Sequence, residues 1–163
     1  MSPRDADLQL TLVVDGERRS EPVAPGALLV EALRESFGAQ APKVGCATGD
    51  CGACTVIRDG EPVKSCLELA AACEGAQITT LEGFAEGEEL SPVQRAFWDE
   101  GAFQCGFCLS GMVAAAEDLL RRNPDPSDEE IRWALSGNLC RCTGYEPIVA
   151  AVRAAADGAR QSQ

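Results

Sequence analysis

Eight of the nine cysteines in this chain form two groups of four that differ in their spacing. The first group reads C-x4-C-x2-C-x11-C and consists of Cys46, Cys51, Cys54 and Cys66. The second group reads C-x2-C, a long interval and then C-x-C, and consists of Cys105, Cys108, Cys140 and Cys142. Four thiolates complete the ligand set of one metal centre, so the sequence predicts two metal centres in unlike surroundings.

The opening spacing of the first group, C-x4-C-x2-C, is typical of plant-type ferredoxins, which bind a [2Fe-2S] cluster. Its cysteines alternate with Gly45, Gly49 and Gly52, and glycine lets the backbone fold closely around a bulky cluster. Zinc is the main alternative, because four-cysteine zinc sites also use C-x2-C pairs, although this loop is not typical of a zinc knuckle. Disulfide bonds are a weaker alternative, since the number of cysteines is odd and nothing indicates secretion.

The chain contains no histidine, which excludes a Rieske centre, a Cys2His2 zinc finger and any nucleophile activated by imidazole. The motifs G-x-G-x-x-G, G-x-x-x-x-G-K-[ST] and G-x-S-x-G are also absent. We therefore expect no catalytic residues in this chain, and electron transfer is the simplest use of two metal centres.

The net charge of -12 divides evenly between the two halves of the chain, so no basic region is available to bind nucleic acid or an anionic membrane. No segment approaches the roughly 20 apolar residues of a membrane span. Asp5 and Asp7 precede the first apolar segment, which argues against a signal peptide. We expect a cytoplasmic protein, because thiols stay reduced in that compartment.

The first half of the chain is predicted to consist mainly of strands. Alternating hydrophobicity and turn residues predict hairpins over residues 8–23 and 55–66 and a last strand over 78–81. Helical spacing predicts a helix over residues 27–37, which Gly38 would end. This order of elements is that of a β-grasp fold.

The second half is predicted to be helical. Helices should begin near Ser91, Cys108, Ser127 and Pro147, and Ser127 forms a capping box with Glu130. Both cysteine pairs of the second group thus lie close to helix starts, where free N–H groups favour a negatively charged cluster. The division between the two halves falls near residue 83.

Four motifs in this order resemble the iron-sulfur subunit of the molybdenum hydroxylases, the family of xanthine dehydrogenase, aldehyde oxidoreductase and carbon monoxide dehydrogenase. They are GCATGDCGACTV (45–56), SCL (65–67), QCGFC (104–108) and GNLCRCTGY (137–145). The resemblance implies an α+β protein with a β-grasp [2Fe-2S] ferredoxin-like domain (1–83) followed by a four-helix [2Fe-2S]-binding domain (84–163). It also implies that the eight cysteines of the two groups are the cluster ligands.

The resemblance further implies that this chain works in a hetero-oligomer and is not catalytic alone. Electrons would come from a molybdopterin-type molybdenum cofactor on a large partner subunit and leave to FAD on a medium subunit or to another acceptor. Gln104 would hydrogen-bond the pterin, and Cys142 would be the ligand nearest to it. The substrate remains open among purines, aldehydes, carbon monoxide and N-heterocycles, because substrate contacts lie on the large subunit.

A few residues have competing interpretations. Cys73, the ninth cysteine, is expected to be structural, although it competes with Cys66 as fourth ligand. Arg141 is either a solvated charge or a residue that tunes the cluster, and Trp98 and Trp133 are expected to be core or interface aromatics.

One motif departs from the family pattern. Many family members have Cys-Thr-Pro-Gly where this chain has Cys-Leu-Ser-Gly at 108–111, which is expected to change the surface near the pterin. The alternative function is a free-standing two-cluster ferredoxin or a redox sensor.

Overall fold

A five-stranded sheet forms the N-terminal part of the computed structural model, which describes residues 7–161. The strands are β1 (Leu8–Val14), β2 (Glu17–Val23), β3 (Thr55–Arg58), β4 (Glu61–Lys64) and β5 (Gln77–Thr79). Their order in the sheet is β2-β1-β5-β3-β4. The central pair β1 and β5 is parallel and the other pairs are antiparallel, as in the expected β-grasp fold.

The first predicted hairpin is confirmed. Leu10, Leu12 and Val14 of β1 point into the core, and the residues between them are only partly buried. Asp15 and Gly16 both have positive φ, as a two-residue hairpin turn of type I′ requires. A strand with one buried face and one partly exposed face has a fixed register, which here pairs Val14 with Glu17.

Helix α1 (Leu29–Glu35) packs across the sheet and leads into the first cysteine loop. Leu29 and Leu33 of the helix and Phe37 just beyond it are buried, at the spacing that the sequence indicated. The helix is shorter than the predicted 27–37, because it ends at Glu35 with Ser36 as C-cap. Gly38, with φ 74°, then turns the chain, and the amide of Ala39 donates to the carbonyl of Leu33 at 2.8 Å. This is the left-handed helix end that glycine favours.

The strand expected to return to Cys66 is shorter than predicted. Strand β4 ends at Lys64, and Cys66 lies in a 3-10 turn, Ser65–Leu67. A second 3-10 turn, Ala70–Cys73, buries Cys73 beneath the sheet. Hydrophobic patterning indicates that these residues are buried, but it does not distinguish a strand from a tight turn over three or four residues.

Four helices form the C-terminal part, as predicted. They are α2 (Pro92–Asp99), α3 (Leu109–Arg122), α4 (Asp128–Leu135) and α5 (Glu146–Gln161). Both expected N-caps are present, because Ser91 Oγ accepts from the Gln94 amide at 3.1 Å and Ser127 Oγ from the Glu130 amide at 3.3 Å. The α+β fold class and the order of its two parts are therefore confirmed.

Helix α2 packs against α5, and α3 packs against both α4 and strands β3 and β4. The helical part therefore contacts the sheet directly behind the first cysteine loop. Trp98 and Trp133 are not core residues, because their exposed fractions are 63% and 80%, and their assignment to an interface stays a prediction. In the described part of the chain, none of the helices has the length and apolarity needed to cross a membrane.

Candidate metal centres

The first cysteine loop winds tightly between α1 and β3. Positive φ values at Ala47, Gly49 and Gly52 turn the backbone inward three times within six residues. As a result, the amides of Thr48 and Cys51 both point at Cys46 Sγ, each from 3.4 Å. Amide donors directed at a cysteine sulfur stabilise a thiolate and raise the reduction potential of a cluster that it holds.

The glycines of this loop leave room that any side chain would fill. A Cβ on Gly45 would lie 2.9 Å from Cys51 Sγ, and one on Gly49 would lie 2.6 Å from a methyl group of Leu67. Leu67 belongs to the 3-10 turn that carries Cys66, so the turn closes over the loop. The backbone is therefore shaped as a cradle around the four sulfurs.

The second group is assembled from the start of α3 and the loop before α5. Cys108 occupies the N-cap position of α3, and Gly106, with φ 75°, turns the chain between Cys105 and Cys108. In the other loop, the Cys140 amide donates to the Tyr145 hydroxyl at 2.9 Å. The amide of Thr143 points at Cys140 Sγ from 3.5 Å.

The thiols of each group are neighbours. Cys105 Sγ and Cys142 Sγ are 3.5 Å apart, and Cys51, Cys54 and Cys140 are close enough to influence the pKa values of Cys46, Cys66 and Cys108 respectively. Within residues 7–161, no three or more His, Cys, Asp or Glu side chains converge as they would around a single ion. A [2Fe-2S] cluster takes two thiolates on each of its two irons, an arrangement that neighbouring cysteines suit.

The electrostatic environment differs among these thiols. Hydrogen bonds from the Thr48 side chain and the Cys51 amide lower the pKa of Cys46 to about 6, which favours the metal-binding thiolate. Burial raises the pKa of Cys66 to about 11 and that of Cys108 to about 12. The two buried thiols must release their protons when a metal binds.

The two centres are joined through the backbone. The amide of Leu139 donates to the carbonyl of Cys51 at 2.8 Å, and Leu139 immediately precedes Cys140. One hydrogen bond and one peptide unit therefore separate a cysteine of the first group from a cysteine of the second.

The interface between the two parts, called the seam below, includes Gly52, Gly111 and Asn138 and depends on close backbone contact. Gly52 and Gly111 face each other so closely that a Cβ on Gly111 would lie 2.0 Å from the carbonyl oxygen of Gly52. The Asn138 amide donates to the same oxygen at 3.1 Å. Ser110 is buried, and its hydroxyl donates to the carbonyl of Ala53 at 3.2 Å.

Lys64 is a functional candidate that the sequence analysis missed. Its ammonium group donates to Thr55 Oγ1 and to the carbonyl of Gly137, both at 2.9 Å, and is 3.4 Å from Asn138 Oδ1. Burial lowers the pKa of Lys64, while the four cysteines of the first group act against this and favour the charged ammonium. Its position in the sequence could have identified it as a candidate, since Lys64 is two residues from Cys66 and is one of only two lysines in the chain.

Cys73 lies apart from both groups. It is 2% exposed in the core beneath the sheet, and its sulfur contacts the carbonyl of Leu69 at 3.6 Å and a guanidinium nitrogen of Arg58 at 3.9 Å. Burial raises the pKa of the Cys73 thiol, so this sulfur stays protonated.

Gln104 and Arg141 are both exposed beside the second group. In the described part of the chain the Gln104 side chain has no hydrogen-bond partner, so its amide is available to another molecule.

Comparison with known proteins assigns each part to a family. Residues 12–82 match the family model of a 2Fe-2S iron-sulfur cluster binding domain, and residues 80–153 match that of a [2Fe-2S] binding domain. The chain is 50% identical over 150 residues to the nicotinate dehydrogenase small FeS subunit of Eubacterium barkeri, covering 92% of this chain and 96% of that subunit. It is 52% identical over 127 residues to the xanthine dehydrogenase iron-sulfur-binding subunit of Escherichia coli O157:H7, covering 77% and 79%.

The fold agrees with these relatives. A chain in the crystal structure of quinoline 2-oxidoreductase from Pseudomonas putida 86 matches with a TM-score of 0.92 and 45% identity, covering 96% of this chain and 98% of that one. The chain therefore has two [2Fe-2S]-binding domains, and its relatives are iron-sulfur subunits of oxidoreductases that are not catalytic alone. This chain belongs to the family of iron-sulfur subunits of the molybdenum hydroxylases.

Proposed function

We propose that this chain transfers electrons between a large molybdenum-binding subunit and an acceptor, with FAD on a medium subunit as that acceptor. The complex would be a cytoplasmic hetero-oligomer, and the boundary between the two domains of this chain would fall between residues 83 and 84. The observation that carries the proposal is that two groups of neighbouring cysteines, each reaching the surface, are joined internally by one backbone hydrogen bond.

The cysteines of the two groups would hold one [2Fe-2S] cluster each. The ligands would be Cys46, Cys51, Cys54 and Cys66 in the first domain and Cys105, Cys108, Cys140 and Cys142 in the second. Each cluster, when bound, supplies the uptake and release of one electron. The closeness of the thiols, the amides directed at Cys46 and Cys140 and the cradle formed by Gly45 and Gly49 support this assignment.

The protein would provide the connection between the centres through the Leu139 amide and the Cys51 carbonyl. A hydrogen bond of 2.8 Å within a rigid backbone keeps the separation of the two centres fixed. The neighbouring residues Gly52, Gly111 and Asn138 are buried and in close contact. A short and rigid connection is suited to electron transfer, since little has to reorganise when charge moves.

The second domain would face the large subunit. Cys105 and Cys142 are exposed and lie together, and Gln104 stands next to them with its amide available. An amide side chain both donates and accepts hydrogen bonds, which suits the polar edge of a pterin. Cys46, at the partly exposed outer side of the first group, would then face the acceptor.

The test is to co-purify the full chain with its large subunit and to analyse the metals in the chain. We expect about four irons and four sulfides per chain, and two distinguishable EPR signals. Substrate should reduce both clusters in the complex, whereas the chain alone should turn over nothing. Zinc in place of iron, or about two irons in a fully loaded chain, would contradict the proposal, as would full activity of a complex that lacks the clusters.

A further inference from the structure

Lys64 places a positive charge at the seam between the domains. It is the last residue of β4, and its three ammonium hydrogens meet three acceptors, the Thr55 hydroxyl, the Gly137 carbonyl and the Asn138 side-chain oxygen. Thr55 follows Cys54 directly, and Gly137 and Asn138 lead into Cys140. The ammonium group is therefore held between the two candidate centres by residues of both domains.

The charge of Lys64 has no carboxylate to neutralise it. All three acceptors are uncharged, and none of the ion pairs formed by the described residues includes Lys64. Asp118, which lines the same surface pocket, is paired with Arg121 and Arg122. The field of Lys64 therefore reaches the groups around it without a counter-ion.

Lys64 is bound more directly to the first group than to the second. It lies two residues before Cys66 and donates to Thr55, which follows Cys54, whereas its acceptor Gly137 is three residues away from Cys140. Lys64 is half-buried, and charges interact more strongly where water is partly excluded. Reduction adds one negative charge to a cluster, so a fixed cation stabilises the reduced form and raises the reduction potential.

We infer that Lys64 raises the reduction potential of the first-domain cluster relative to that of the second-domain cluster, and so favours electron flow towards the first domain. This inference rests on the ligand assignment of the proposed function. In the step concerned, one electron leaves the second-domain cluster and one electron enters the first-domain cluster. No proton is transferred, because the ammonium group keeps its charge throughout.

If its role were purely structural, Lys64 would be one of several side chains that hold the two domains together by hydrogen bonds. Arg121 is such a side chain, because its guanidinium group donates to the carbonyl of Gly60 at 3.0 Å and so joins α3 to the turn between β3 and β4. Arg121 lies thirteen residues after Cys108 in the chain, about 20 Å along the helix axis. Gly60 lies in the turn of the β3–β4 hairpin, whereas Thr55 and Lys64 pair at the opposite end, next to the first centre. Arg121→Met therefore removes an interdomain cation that is remote from both centres, and it is the matched control.

The experiment compares the full chain with Lys64→Met, Lys64→Gln, Lys64→Arg and Arg121→Met after cluster reconstitution. Iron and sulfide are quantified first, and both potentials are then measured by redox titration monitored by EPR. We expect Lys64→Met and Lys64→Gln to shift the equilibrium between the clusters about tenfold away from the first domain, which is about 59 mV for one electron. Lys64→Arg should keep most of the wild-type balance, and Arg121→Met should leave both potentials unchanged.

Two results would overturn the inference. One is a fully loaded Lys64→Gln chain in which the first-domain potential equals that of wild type, and the other is an equal shift in Lys64→Met and Arg121→Met. Lys64→Gln removes the charge but keeps an amide that can form hydrogen bonds between the domains. It therefore tests the effect of the charge alone, even if Lys64→Met fails to bind both clusters. A wild-type chain without two clusters would instead contradict the proposed function, and it would be recognised at the iron analysis.

Discussion

Replacing Gly111 by alanine should force the two domains apart. The added Cβ would lie 2.0 Å from the carbonyl oxygen of Gly52 and 2.6 Å from Nδ2 of Asn138. Neither neighbour can move easily, because the oxygen belongs to the backbone and the Asn138 side chain is buried and hydrogen-bonded to it. Overpacking of this kind costs about 1–3 kcal/mol, and loss of the Asn138 hydrogen bond adds about 1 kcal/mol.

The expected loss of stability for Gly111→Ala is thus about 2–4 kcal/mol, or roughly 4–16 °C in Tm for a chain of this size. Gly158→Ala is the matched control, because Gly158 also lies in a helix and an added Cβ there would meet nothing within 4 Å. That change should stabilise the chain by up to about 1 kcal/mol through helix propensity. Thermal unfolding of the cluster-loaded chains, followed by circular dichroism, measures both. If Gly111→Ala melts at the wild-type temperature, the close contact at the seam does not exist in solution.

Three further predictions concern single side chains. Cys66→Ser should lower the iron content from about four to about two per chain, since a hydroxyl is a poor substitute for thiolate, whereas Cys73→Ser should keep all four; the opposite result would exchange their roles. Gln104→Ala should leave both clusters assembled but slow their reduction by substrate in the complex or weaken retention of the pterin; unchanged rapid-mixing rates with unchanged pterin retention would exclude the contact. Burial raises the pKa of Glu117 despite a hydrogen bond from Ser91, so wild type should lose stability as pH rises through that pKa. Glu117→Gln should therefore be the more stable form at pH 8 and lose this advantage near pH 4, and parallel urea titrations at the two pH values test this.

The sequence predicted those features that depend on residue type and short-range spacing. The hairpin at Asp15 and Gly16 and the capping box at Ser127 each follow from a local preference and are confirmed, and Gly38 has the expected positive φ although the helix ends at Glu35. The two groups of cysteines could be found in the same way, because thiolate ligands cannot be replaced by other side chains without a change in chemistry.

The contacts that join the two centres could not be predicted from the sequence. The hydrogen bond from Leu139 to Cys51 uses only backbone atoms, which every residue carries, so it cannot be predicted from residue type. Ser110 reads as an ordinary residue in the first turn of a helix, and its contact with Ala53 appears only when α3 packs behind the first loop. Lys64 was overlooked for the same reason, because two of its three acceptors, Gly137 and Asn138, lie more than 70 residues away in the chain.

Large apolar side chains are exposed around the cysteines, and the exposure of Trp98 and Trp133 leaves the interface interpretation for both. Four of the large hydrophobic residues that are exposed in the described chain lie within two residues of a proposed ligand, namely Val44, Leu67, Phe107 and Leu139. Trp98 is exposed beside Phe103, with ring centroids 6.0 Å apart, and Phe103 precedes Gln104. Apolar side chains next to metal ligands are what partner subunits would cover, and covering them removes water from the clusters. Because solvent exposure is one of the factors that set a cluster potential, potentials of the isolated chain and of the complex should differ, and the Lys64 variants must be compared within one state of assembly.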